Sequence, residues 1–207
     1  IPSSVNTINL AGEPLSRALV DRIYALGHVQ HVINLYGPSE DTTYTTCYRF
    51  ANDHAGIPIG QPVDNTRVLI LDANQQPVPI GVKGELYIDS ASLAIGYHNN
   101  PKQTNERFLR WKLDETVRLY RTGDFARWTA TGLLEFFGRE DAQVKVNGYR
   151  VEPGEIEIVL NALQGVDQSA VVPCNAADGS MFLAAYYTGQ DGDVAKENIA
   201  LELRQQL

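Results

Sequence analysis

Between residues 61 and 139 the chain runs as short apolar segments cut by turn residues, and that density limits its fold more than any other feature. "TRVLILD", "GELYID", "VRLYRTGD" and "GLLEFFGR" read as strands, with "ANQQPVPIGVKG" as a connection. Short strands with Gly, Pro and Asn between them predict a barrel or a meander. Ahead of this region "TINLAG" predicts a strand, and a helix follows from Pro14 to about Leu26. That helix shows Leu15, Ala18, Leu19, Ile23 and Leu26 on one face, with Pro14 suited to its first turn. "HVINLY" is a second strand. After residue 141 the texture changes: "QVKVNGYRV", a helix over 153–163 carrying Ile156, Val159, Leu160 and Leu163, then "QSAVVPC", "MFLAAYYTG" and a terminal helix over "VAKENIALELRQQL". The expected architecture is α/β to α+β: 1–140 as one large part with the barrel-like meander, and 141–207 as a small one.

Composition removes several function classes. The 207 residues are 43% hydrophobic and 20% charged, as in ordinary soluble domains. A net charge of −8 argues against nucleic acid as a partner, because a polyanion calls for a basic face. No apolar run approaches the roughly 20 residues of a membrane span, so no membrane partner is expected. Cys47 and Cys174 form no C-x-x-C pair, which suits a reduced, cytoplasmic setting. His28, His31, His54 and His98 lack metal-binding spacing. Ile1 opens the chain within a few residues of an apolar run, and a helical pattern closes it without a stop signal; both suggest a piece of a longer polypeptide.

Three stretches hold residue types that do chemistry. "NLYGPSEDTTYTT", residues 34–46, ends a strand in a Gly-Pro-Ser turn crowded with acids and threonines. Such a turn exposes backbone N–H groups, Ser39 adds a hydroxyl, and Glu40 is a hard oxygen ligand of the kind Mg²⁺ takes beside phosphates. The competing reading makes Ser39 a helix cap with Glu40 and Asp41 in the first turn. In "YRTGD", Asp124 is either a turn residue or an acceptor for two sugar hydroxyls. "GREDAQVKVNGYR" gathers Arg139, Lys145 and Arg150, as a solvated face or as a recognition site for phosphate or carboxylate. The usual G-x-x-x-x-G-K-[ST] phosphate loop is absent.

In order along the chain, "NLYGPSEDTTY", "GELYIDSASLAIGYHNNPKQTNERF", "YRTGD" and "GREDAQVKVNGYRVEPGEIE" resemble the core motifs of adenylate-forming enzymes, most closely the adenylation domains of nonribosomal peptide synthetases. That resemblance implies a ligase of secondary metabolism that converts ATP and an amino acid to aminoacyl-AMP with Mg²⁺. It then loads the phosphopantetheine thiol of a carrier domain. By analogy, Asn34 would meet the adenine amino group, Tyr36 would stack on the ring and Phe136 would cover its far side. Ser39 would touch the α-phosphate, Glu40 would hold the metal, Asp124 would accept the ribose hydroxyls and Arg139 would help hold the ribose. Lys145 and Gly148 join Glu40 as catalytic candidates, Gly148 lying at the entrance for the carrier's thiol and Asp141 at the hinge. Asn9, Ala11, Leu35, Thr43 and Tyr44 would line the amino-acid pocket.

The chain departs from the family pattern in places. Ser90 and Ser92 stand where glycines are usual, and Ile95 where an arginine is usual. Phe125, Asn147 and Pro153 replace a leucine, an arginine and a leucine. The upstream phosphate loop, the aspartate for the substrate amino group and the late catalytic lysine are not in these 207 residues, so the rest of the same adenylation domain is an expected partner. Acyl-CoA ligases share the motifs and form the nearest alternative, and a catalytically silent interaction module of the same fold is a third. Intact Glu40 and Asp124 speak against the silent form.

Overall fold

A computed structural model describes residues 1–50, 56–139, 143–146, 148–163, 165–176, 180–189 and 203. The chain divides into two compact units, Ile1–Glu140 and Asp141–Leu207.

The first unit begins with β1 (Thr7–Ala11), α1 (Arg17–Tyr24) and β2 (His31–Tyr36). β1 and β2 pair in parallel, which requires a crossover, and α1 supplies it. The helix is shorter than its sequence pattern because Ser16 caps it, its hydroxyl accepting from Leu19 N at 3.3 Å. Starting at Arg17 turns Val20 and Ile23 to the sheet, while Leu19 and Leu26 of the expected face stay exposed. β3 (Thr46–Arg49) and β4 (Gln61–Pro62) extend this sheet antiparallel, in the order β1-β2-β3-β4. Its core is Val20, Ile23, Val29, Val32, Tyr48 and Phe50.

The turn-rich stretch folds as β5 (Thr66–Leu71), β6 (Gly84–Ser90), α2 (Pro101–Arg107), β7 (Phe108–Trp111), β8 (Asp114–Trp128) and β9 (Leu134–Arg139). Asn100 caps α2, a helix the apolar pattern does not announce because none of its residues is buried. The five strands form an open antiparallel sheet and not a closed barrel. β8 explains this. Along one edge it pairs first with β7, over Leu109–Leu119, and then with β9, over Asp124–Arg139, while β6 lies along the other edge. Two bulges, one opposite Glu85/Tyr87 and one between Asp124 and Ala126, allow the switch. Gly123, at φ +79°, sits beside the second. Asp124 therefore belongs to a strand, and the turn reading is corrected. Val68, Ile70, Leu86, Ile88, Phe108, Tyr120, Ala126 and Leu134 fill the main core.

The second unit contains the hairpin β10 (Val144–Val146)–β11 (Tyr149–Val151), α3 (Pro153–Asn161) and the hairpin β12 (Gln168–Asn175)–β13 (Met181–Thr188). Pro153 enters α3 at its first turn. Leu160 is fully buried against Val171, with Ile156, Leu163, Leu183 and Leu203 around them. Leu203 apart, the terminal helix lies outside the described residues. Among the described residues no helix is long and apolar enough to cross a membrane.

Candidate functional site

Alternation along β2 sorts its residues onto two faces. Asn34 and Tyr36 fall on the face with buried Val32, and Leu35 falls on the opposite one. Register puts Ala11 and Cys47 beside Leu35, and Asn9 beside Ile33, so Asn9, Ala11, Leu35 and Cys47 share a face. Asn9 and Ala11 are exposed and Leu35 is half-buried. The sheet thus separates the nucleotide-side candidates from three of the pocket candidates. Cys47 joins that group unannounced by the sequence, because only the strand register reveals it.

Tyr36 ends β2 and points to the second sheet, where its hydroxyl donates to Asp124 Oδ2. Burial, and then the neighbouring carboxylate, holds the Tyr36 phenol well above its ordinary range, so it stays a neutral donor. Arg139 Nη1 donates to Asp124 Oδ1 at 3.1 Å and to Thr122 O at 2.8 Å. Thr122 fixes the bulge: its hydroxyl donates to Leu86 O at 2.7 Å and accepts from Asp124 N at 2.9 Å. A side chain at position 123 would place its Cβ 2.5 Å from Arg139 Nη2, so only glycine lets the guanidinium lie there. Phe136 touches Tyr36, with ring centroids 5.7 Å apart and planes at 44°. Asn34 is buried and donates from Nδ2 to Pro58 O at 2.9 Å, which orients the amide oxygen as the acceptor an exocyclic amino group needs. Asn34, Tyr36, Asp124, Phe136 and Arg139 are all placed within the first unit.

The Gly-Pro-Ser turn is a single 3₁₀ turn over Ser39–Asp41. Pro38 stands at its cap position with no side-chain cap, so Ser39 does not cap and is instead exposed on the turn. Glu40 and Asp41 lie in the first turn, as the competing reading has them, and both are buried. Asp41 accepts from Thr45 Oγ1 at 2.7 Å and from Ser92 Oγ at 2.8 Å. Glu40 Oε1 accepts from the Tyr97 hydroxyl at 2.5 Å. Thr42 and Thr43 follow with φ of +48° and +87°, outliers for β-branched residues. A Cβ at Gly37 would lie 2.5 Å from Thr43 O and 2.6 Å from Thr45 N, so that glycine permits the tight return. Thr43 and Tyr44 are exposed on this return.

The remaining candidates belong to the second unit. Lys145 is exposed on β10, opposite Arg150 in register. Val146 pairs with Tyr149, leaving a two-residue loop that ends in Gly148 at φ +80°. That φ suits a tight hairpin. Asp141 lies outside the described residues. Sequence reasoning did not single out Tyr97 or Thr122, and it named Asp41 only as a first-turn acid and Ser92 only as a departure from the family pattern. Each sits inside a quoted motif, but its partner lies on a distant segment.

Among the described residues no three His, Cys, Asp or Glu side chains gather as a metal-binding cluster. One fixed carboxylate beside an exposed hydroxyl is still a donor set for Mg²⁺, which takes one or two carboxylates and completes its shell with phosphate oxygens and water. Aromatic rings, an amide, a carboxylate held by arginine and a hard oxygen ligand together suit a nucleotide: base, ribose and metal-bound phosphates.

Comparison with known proteins agrees. A model of the AMP-binding enzyme family matches residues 1–98. A linear gramicidin synthase of Brevibacillus parabrevis is 48% identical over 93% of this chain, which spans 4% of that protein. Holo-PA1221, an NRPS protein containing adenylation and PCP domains solved with a vinylsulfonamide inhibitor, superposes with a TM-score of 0.86 at 32% identity, over 98% of this chain and 36% of that one. A four-domain nonribosomal peptide synthetase, AB3403, bound to AMP and glycine, matches at 38% identity and a TM-score of 0.61, over 93% of this chain and 15% of that one. Residues 1–98 belong to the AMP-binding enzyme family, and the chain is similar to nonribosomal peptide synthetases over nine-tenths of its length.

Proposed function

We propose that this chain is the later part of an amino-acid adenylation domain: 1–140 the end of the large subdomain and 141–207 the hinge and part of the small one. The complete domain joins the carboxylate of an amino acid to the α-phosphate of ATP, releases pyrophosphate, and passes the aminoacyl group to a carrier domain's phosphopantetheine thiol. The observation that carries this reading is the group Tyr36, Phe136, Asp124 and Arg139, drawn from three strands around one bulge. Likeness to synthetases solved with a PCP domain, and with AMP and glycine, supports it.

Each residue then has a task its surroundings suit. Adenine stacks on Tyr36, worth roughly 1–3 kcal/mol, with Phe136 turning to cover the other side and the Asn34 amide oxygen accepting from the amino group. Asp124, held by Tyr36 and Arg139, accepts the ribose hydroxyls. Arg139 holds that carboxylate in place. Ser39 offers its exposed hydroxyl to the α-phosphate, and Glu40 ligates the metal. A Mg²⁺ ion held there by Glu40 would supply neutralisation of the charge developing on the phosphates. The face bearing Asn9, Ala11 and Leu35, with Thr43 and Tyr44 on the return, forms part of the amino-acid pocket. Lys145 and Gly148 ride on the hairpin that meets the carrier's thiol. An acyl-CoA ligase would use the same nucleotide residues and differ in the acid and thiol it accepts.

Asp124→Asn in the complete domain tests the reading through amino-acid-dependent ATP–pyrophosphate exchange. The KM for ATP should rise by roughly tenfold, the loss of ~1.4 kcal/mol. The preference for ATP over 2′-deoxy-ATP should shrink at the same time. Equal losses with both nucleotides would remove Asp124 from the ribose.

A further inference from the structure

Glu40 is held by a segment distant in sequence. The segment Ser90–Tyr97, which leaves β6 and reaches α2, lies across the Ser39–Asp41 turn and ties to it four times. Ser92 Oγ donates to Asp41 Oδ1 at 2.8 Å, and Thr42 Oγ1 donates to Ser92 O at 2.8 Å. Ala94 N donates to Glu40 O at 2.8 Å, and the Tyr97 hydroxyl reaches Glu40 Oε1 at 2.5 Å. These bonds span 50 residues or more of sequence, so they cannot come from local turn preference. The strap is itself anchored. Tyr97 N donates to Thr104 Oγ1 on α2 at 2.9 Å, and the Tyr97 ring packs edge-on against Phe108 at 5.7 Å in the main core. A Cβ at Gly96 would lie 2.4 Å from Thr104 Cγ2, so the strap passes close to α2 at that point.

We propose that Tyr97 is a positioning residue for the metal: its hydroxyl, presented by this strap, sets the rotamer of the Glu40 carboxylate before nucleotide binds. This rests on the reading of Glu40 as the metal ligand. A carboxylate with one oxygen fixed by a short, strong donor presents its other oxygen in one direction, so a ligating metal meets a preset geometry. Tyr97 is itself fixed by its packing against Phe108. Tyr120 lies behind it, hydroxyl to hydroxyl at 3.5 Å, continuing the polar line into the core. Ser92, standing where the resembled family has glycine, adds a tie through Asp41 to the same turn.

The test is Tyr97→Phe in the complete adenylation domain, which keeps the ring and its packing and removes only the hydroxyl. Two readouts are compared with the unaltered domain. One is Mn²⁺ binding to the ATP-loaded domain by electron paramagnetic resonance; the other is the Mg²⁺ concentration giving half-maximal pyrophosphate exchange. Removing a partner of a metal ligand costs about tenfold or more in metal affinity, so Mn²⁺ affinity should fall and the Mg²⁺ requirement should rise by about that factor. The amino-acid KM should stay where it was. Glu40→Gln in the same binding assay separates the two claims. If Glu40→Gln weakens Mn²⁺ binding and Tyr97→Phe leaves both readouts unchanged, the positioning role is overturned and the metal site stands. If neither variant moves Mn²⁺ affinity, the assignment of Glu40 as ligand falls with it. Should Tyr97→Phe fail to fold, Ser92→Gly decides by the same two readouts. A two- to threefold weakening is expected of a strap that presets Glu40, and no change overturns it.

Discussion

The first unit buries its candidates Asn34, Glu40 and Asp124 among hydrogen-bonded neighbours, whereas the second presents Lys145 and Gly148 on an exposed hairpin. Asp124 and Glu40 are each under a tenth exposed, and each is held by a side chain from another strand or loop. Lys145 is exposed, and a side chain added at Gly148 would meet nothing within 4 Å. The difference teaches what each part can contribute. A site that stabilises charge gains from groups fixed in advance, because no reorganisation is then needed as charge develops. An element that meets a partner needs reach and clearance more than rigidity.

The sharpest break of this comparison sets two glycines against each other. Gly60 has φ +90°, and a Cβ there would fall 2.0 Å from Cys47 O, in the backbone joining the two sheets of the first unit. Gly60→Ala should therefore cost about 3 kcal/mol or more. Gly148 shares the positive φ without the collision, so Gly148→Ala should cost about 1–2 kcal/mol. Urea denaturation of the complete domain, with the two units followed by separate probes, checks both. Equal losses would erase the distinction between a packed and a presented turn.

Gly148→Ala also sharpens the functional side. If the hairpin serves only the second half-reaction, carrier loading should slow roughly threefold, an effect of under 1 kcal/mol, while pyrophosphate exchange stays constant. A parallel fall in both reactions would reduce Gly148 to a folding requirement.

The smallest effect concerns pH. Tyr36 has its folded pKa raised by burial and by Asp124, so folding favours its protonated form. Its contribution is fully present below the unfolded value of about 10 and is lost as pH rises beyond it. Tyr36→Phe should therefore leave the slope of stability against pH unchanged from pH 7 to 9. Above about 10 it should flatten the decline. Thermal melts of both forms across that range measure it, and an identical alkaline slope would deny that folding raises the Tyr36 pKa.

Element type was largely legible: "TINLAG" and "HVINLY" carry strand composition, and Ile156, Leu160 and Leu163 carry helical spacing. The helix over 101–107 was not, because it buries none of its residues and so leaves no apolar period. The face of α1 was only partly legible: Ile23 is buried as expected, but Val20 is buried in place of its neighbour Leu19. Within the candidate site, residue types were readable where the chemistry is unusual for a turn: Glu40 beside Gly37-Pro38, and Asp124 after Gly123.

By itself, the sequence determined the order of motifs, the family they resemble and the change of texture near residue 141. Tertiary structure alone decided who holds whom. Tyr36 meets Asp124 across 88 residues, and Tyr97 meets Glu40 across 57. Those pairings follow from strand register and from bulges on β8, which long-range packing sets and local preference does not. The same register put Cys47 beside Leu35 and turned Asn34 and Tyr36 to the other side of the sheet. Spacing along a chain fixes which face a residue takes within its own strand. Only the neighbouring strands fix what that face will meet.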